Sequence, residues 1–182
     1  MDGDSLRTAL SAWAAGVTLV TITDGRDDIG ATVSAFIPVS FDPPLVAVSL
    51  LAGSYPAEVL GRKPVPVDLT QEIPTARFAV TLLSSAQKVL AGQFSAEGRP
   101  SARLILDAAP HVRGAASGAL IPTGGLAALE CSVARRVPAG DHLLVIAAVE
   151  GVAYVAEAGN PLIRFRGRYP AAGAPASPAS RG

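Results

Sequence analysis

Apolar residues fall at helical spacing over residues 4 to 15, where Leu6, Ala9, Leu10 and Trp13 form one face behind an Asp4 or Ser5 cap, and this predicts a short amphipathic helix that Gly16 ends. In that reading Trp13 packs into the core. The next segment, VTLVTIT, is rich in β-branched residues and stops at Asp24-Gly25, so it predicts a strand and a turn. A strand over about 29 to 36 follows, then an irregular connection from Pro38 to Pro44 and a strand from Leu45 to Leu51. Pro43 and Pro44 remove ladder donors and make a corner between two strands of one sheet. Residues 61 to 76 hold three prolines and no clear period, which predicts a surface excursion.

Beyond it, RFAVTLL reads as a strand and SSAQKVLAGQF as a helix capped by Ser84 or Ser85. Residues 126 to 137 and 142 to 155 read as two long strands joined by the turn Pro138-Ala139-Gly140-Asp141. PLIRFRGRYP is a last short strand. Residues 171 to 182, AAGAPASPASRG, form a small-residue tail with nothing to bury, and are expected to be disordered. Many short strands, few helices and no alternation of strand and helix predict a mainly β protein, an antiparallel barrel with peripheral helices.

The length of 182 residues suits one domain, here residues 1 to 170. Hydrophobic residues make up 49% of the chain and charged residues 16%, which implies a dense core under a sparsely charged surface. Fifteen basic and fifteen acidic residues cancel. That balance argues against a nucleic acid or an anionic membrane as partner. The N-terminus lacks a signal pattern, and no apolar stretch approaches the ~20 residues of a membrane helix. The single cysteine, Cys131, excludes an internal disulfide, and with two distant histidines it offers no metal spacing. A cytoplasmic protein is expected, with Cys131 a small core residue.

Four collinear pieces carry a resemblance: AWAAGVTLVTI, GATVSAFIPVSFDPPLVAVSL, RFAVTLLSSAQKVLAGQF, and Gly140-Asp141-His142 followed downstream by GNPLIRFRGRY. Together, over about residues 6 to 170, they resemble the short-chain flavin reductase family. The resemblance implies a Greek-key split barrel that binds FMN, with FAD as the alternative, and that uses NADH or NADPH as co-substrate. It implies hydride transfer from the C4 of the reduced nicotinamide to the flavin N5, a homodimer, and a partner monooxygenase that receives reduced flavin. Mild support for the dimer comes from a mean hydropathy of +0.39, high for a small monomer.

A flavin needs hydrogen bonds to its pyrimidine edge, an apolar surface for its ring and donors for its phosphate. The resemblance implies that Thr32, Val33, Ser34 and Ala35 lie along the ring, that the backbone of Ser49, Leu50 and Leu51 faces it, and that Ser54 helps hold the phosphate. Near Ser54 this chain has Ala52, Gly53, Tyr55 and Pro56 where the family often has a basic residue and a second hydroxyl. Arg62 or Lys63 is expected to compensate. Thr81 and Ala128 are further departures, from a common Asn and a common aromatic.

The turn Gly140-Asp141 places His142 at a barrel rim, where Asp141 can hold its ring. By the same resemblance, His142 is the first candidate for contacting the nicotinamide. His111 has no such context and is expected on the surface. The alternative from another class is a split-barrel protein that binds flavin as a carrier without reductase turnover.

Overall fold

The computed structural model describes residues 2–25, 27–66, 70 and 75–170. The order is α1 (Gly3–Ser11), β1 (Ala15–Gly16), β2 (Thr18–Thr23), β3 (Asp28–Val33), β4 (Phe36–Phe41), β5 (Pro44–Leu51), α2 (Tyr55–Gly61) and β6 (Arg77–Leu82). It continues with α3 (Lys88–Ser95), α4 (Ala102–Leu106), β7 (His111–Arg113), β8 (Leu120–Pro122), β9 (Ala127–Ala139), β10 (His142–Val155) and β11 (Ile163–Arg164). Seven strands form one antiparallel sheet in the order β3-β2-β6-β9-β10-β5-β4. The fold is a split barrel with peripheral helices, as expected.

Period-two alternation along β2 explains the two cores. Val20 and Ile22 face the barrel interior with Val48, Leu60, Phe78, Val80, Val133 and Val145. Leu19 faces the other way, onto Leu90, Phe94, Ile105 and Leu106 of α3 and α4. A strand covered on both faces reads as a nearly unbroken run of apolar and β-branched residues, which is what TLVTIT is. The long β9–β10 hairpin shifts register at three places, and such irregularities let strands this long bend around a barrel.

Several boundaries differ from the sequence expectation. The first helix is capped by Asp2, whose carboxylate accepts from the Asp4 and Ser5 N–H groups, and it ends at Ser11. It buries no side chain, and Trp13 lies beyond it, 78% exposed; core packing of this residue is overturned. The segment expected to be irregular from Pro38 onward is the edge strand β4. Pro38 is tolerated there because one side of an edge strand has no ladder, and the register shifts between Pro38 and Ser40. The short strand β1, the helices α2 and α4 and the β7–β8 hairpin were not expected.

Cys131 is buried in the barrel core, as predicted, and burial pushes its thiol up to about 12. His111 is exposed in β7, its Nδ1 2.9 Å from the Ala109 carbonyl. Of the 61 to 76 excursion, residues 67–69 and 71–74 lie outside the described residues, as does the 171 to 182 tail. Among the described residues no helix is long and apolar enough to cross a membrane.

Candidate active site

One end of the barrel is assembled from three chain segments. β9 and β10 pair as far as Ala139 opposite His142, leaving a two-residue loop of Gly140 and Asp141. Gly140 has φ +63°, the left-handed conformation that a loop this tight requires and that glycine adopts without a Cβ clash. On its other side His142 pairs with Leu51 of β5, and the Ala52 N–H donates to the Asp141 carbonyl at 3.0 Å. Two residues back along β5, about 7 Å, the Ser49 N–H donates to the Ala35 carbonyl at 3.0 Å. Thus the Ser34-Ala35 corner, the Ser49–Leu51 strand end and the Asp141-His142 turn share one rim.

The imidazole of His142 is held by its neighbour: Nδ1 lies 2.8 Å from Asp141 Oδ1. A carboxylate only accepts, so Nδ1 carries the proton of this bond and Nε2 is not used in it. This hydrogen bond also keeps the Asp141 carboxyl below its ordinary value.

Beside the rim runs a groove of about 890 Å³. It is lined by Ser34, Ala35, Phe36 and Ile37, by Arg7, Leu10 and Trp13 from the first helix and its exit, and by Arg164, Arg166 and Gly167. The two ends of the chain meet here because β1 pairs with β11, Ala15 opposite Arg164 and Gly16 opposite Ile163. Small and apolar surface together with guanidinium groups suits a planar ring that carries a phosphate chain, so the lining fits a flavin nucleotide.

The remaining expected residues fall as follows. Thr32 is half-buried opposite Leu19, and Val33 is buried with its carbonyl accepting the Thr18 hydroxyl at 2.7 Å. Ser34 and Ala35 line the groove in the link between β3 and β4. The side chain of Leu50 is buried in the barrel core, which leaves its backbone as the only group able to face a ligand; Leu51 is exposed. Ser54 caps α2, its Oγ accepting from the Ala57 N–H at 3.4 Å.

Of the two cations expected to compensate near Ser54, Arg62 is paired with carboxylates and Lys63 lies on another cavity. Arg62 is committed to Asp24 at 2.7 Å and Glu58 at 2.8 Å and stacks over Tyr55. Lys63 lines a different cavity with Pro44, Arg77 and Glu150, at the far end of β5 and β10. The cations near the rim are instead Arg7, Arg164 and Arg166, which the sequence reading did not single out. No local pattern could have found them, since Arg7 and Arg164 come together only through the pairing of the chain's two ends.

Over residues 10–173 the chain matches the model of the flavin reductase like domain. It is 31% identical over 163 residues to the NADH-dependent FMN reductase of Streptomyces nodosus subsp. asukaensis, covering 90% of this chain and 81% of that protein. With the reductase component of 4-hydroxyphenylacetate 3-monooxygenase from Thermus thermophilus it shares 34% over 166 residues, 91% and 94% of the two chains. The NADH:FAD oxidoreductase of Streptomyces globisporus, solved with NAD and FAD fragments, superposes with a TM-score of 0.81 at 26% identity over 95% of this chain and 94% of that one. The fold and the sequence agree, and the chain belongs to the flavin reductase-like family.

Proposed function

We propose that this protein is an NAD(P)H-dependent flavin reductase that delivers reduced flavin to a partner monooxygenase. The observation that carries the reading is the shared rim: backbone hydrogen bonds fasten the Ala35 corner to Ser49 and the Ala52 turn to Asp141, so the ring-facing segments and His142 are held in one place. When bound, the flavin supplies the hydride-accepting atom for a reduced nicotinamide. Such a transfer needs alignment and no strong base, and the residues here serve that end. Ser34 and Ala35 admit a ring closely, the strand end at Ser49–Leu51 offers backbone groups, and His142, oriented by Asp141, presents Nε2 to the nicotinamide side. Gly140 permits the loop that aims it. Ser54 stands at the same turn and positions α2.

In this reading the protein works as a homodimer in the cytoplasm. Support for the dimer is the edge strand β4, on which Ile37, Val39 and Phe41 are all exposed, Phe41 being 97% exposed. An uncovered apolar edge is a pairing and association surface.

The test is anaerobic mixing of the protein with flavin and NADH or NADPH, followed by loss of the visible flavin band. Bleaching by wild type that slows roughly tenfold in His142→Ala, as loss of one polar contact predicts, supports the assignment. Flavin binding without bleaching by either nicotinamide would leave a carrier and end the reductase reading.

A further inference from the structure

Thr18 opens β2 and is held from several directions. It pairs with Leu82 of β6 and with Val33 of β3. Its neighbour Val17 donates its N–H to the Leu162 carbonyl at 2.9 Å and accepts from the Leu83 N–H at 3.0 Å, which fixes the start of the strand. At 3% exposure Thr18 is shut away from water, and its hydroxyl donates to the Val33 carbonyl at 2.7 Å, across the sheet. Such a bond is not automatic on this strand. The Thr21 hydroxyl, also buried, has no partner among the described residues.

The carbonyl that Thr18 holds is the last of β3. Two residues on, the Ala35 carbonyl accepts from the Ser49 N–H. The Ser34-Ala35 corner is therefore strung between two anchors, a side chain at one end and a backbone group at the other. Between them the N–H groups of Ser34 and Ala35 donate to nothing among the described residues. The Val33–Ser34 peptide is trans, and across a trans peptide the carbonyl and the following N–H point to opposite sides. A carbonyl drawn onto Thr18 thus turns the Ser34 N–H away from β2, on a residue that lines the groove.

We propose that Thr18 is a positioning residue: without touching a ligand, its hydroxyl sets the plane of the Val33–Ser34 peptide and so aims the Ser34 N–H at the flavin ring. The inference rests on the proposed function in placing the ring at this corner. Without the hydroxyl that peptide can tilt, and a hydrogen bond weakens steeply as it leaves the line. A fixed N–H dipole favours the ring most when the ring is electron-rich, so the tilt bears on the potential of bound flavin as well as on its affinity.

Thr18→Val keeps the shape and removes the donor, whereas Thr18→Ser keeps the donor and removes a methyl. In isotope-labelled, flavin-free protein the Ser34 amide resonance should shift in Thr18→Val and return toward its wild-type position in Thr18→Ser. FMN titration should show about tenfold weaker binding to Thr18→Val, the loss expected for one hydrogen bond, and the bound FMN should have a more negative reduction potential. Thr18→Ser should match wild type in both, as should Thr21→Val, which removes a hydroxyl that holds nothing. Equal losses in Thr18→Val and Thr18→Ser would overturn the inference, because they would trace to packing, which melting temperatures of the two variants report separately. Unchanged FMN affinity and potential in Thr18→Val, or an unmoved Ser34 amide, would also overturn it. A wild-type protein that binds neither FMN nor FAD would end the functional reading, while the amide resonances would still decide whether Thr18 holds the corner.

Discussion

Thr81 and Thr21, on adjacent strands, each bury a hydroxyl with no hydrogen-bond partner among the described residues. Thr21 packs beside Gly30 and Phe94 and Thr81 against Gly125, where β-branched shape is needed and the hydroxyl is a cost. Replacing Thr81 by valine keeps the shape and removes the unmet group, and should raise unfolding stability by about 1 kcal/mol in urea titration; a loss of that size would show that the hydroxyl is satisfied. Cys131 illustrates the opposite case. Burial first, then the negative charges of Glu150 and Glu130, push its thiol up to about 12, so it is neither exposed nor ionised at neutral pH. A thiol reagent should leave the native protein untouched and label one site once denaturant is added. Rapid labelling of the native protein would contradict that environment. Residue types predicted Cys131 correctly and Trp13 wrongly for a single reason: apolar character says which side chains favour burial, not whether an element is left to cover them.

Among the elements, β3 is tied to α4 and β7 through one carboxylate. Asp28 is 1% exposed and accepts from both Arg113 nitrogens at 2.8 and 2.9 Å, and from Arg103 at 3.1 and 3.2 Å. Removing Arg113 strands a buried charge, and Arg113→Ala should cost about 2–3 kcal/mol in urea unfolding, less than a wholly buried pair because Arg113 is itself half-exposed and Arg103 remains. Arg103→Ala should cost about 1 kcal/mol or less. Equal losses would mean that the two arginines share the load. This junction was invisible in the sequence, where the aspartate and its partners lie 75 and 85 residues apart. The long strands were legible because each repeats its pattern many times. The helix α2 is not legible in advance although Ser54 and Pro56 mark its start, since seven residues hold too few turns for a helical period to show. Likewise the Ser34-Ala35 corner and His142 could be read from local motifs, while the arginine wall depended on a pairing of distant segments.

For the molecule as a whole, the two most buried carboxylates set the acid limit. Arg113, against the cost of burial, holds Asp28 below its usual value. Glu130 is pushed up by burial but ends lower because Ser117 donates both its N–H and its hydroxyl and Ala116 adds an N–H. For each, the stability gained is complete above the unfolded value near pH 4 and disappears as pH falls through the depressed folded value. The melting temperature should therefore hold steady at neutral pH and drop below about pH 4, and an Asp28→Asn/Glu130→Gln variant should show a lower but flatter profile. An unchanged slope would place the acid sensitivity elsewhere.

The pairing of β1 with β11 bears on how the protein comes into being. A chain grows from its N-terminus, so the Ser34-Ala35 corner and the strands that frame it leave the ribosome early. Their edge at β5 waits for β10, and the second wall of the groove, with Arg164 and Arg166, arrives only after both. A polypeptide cut short before residue 160 would carry every motif of the rim and still lack one side of the cleft. Ligand capture by that cleft is thus a report that synthesis has run to its last strand.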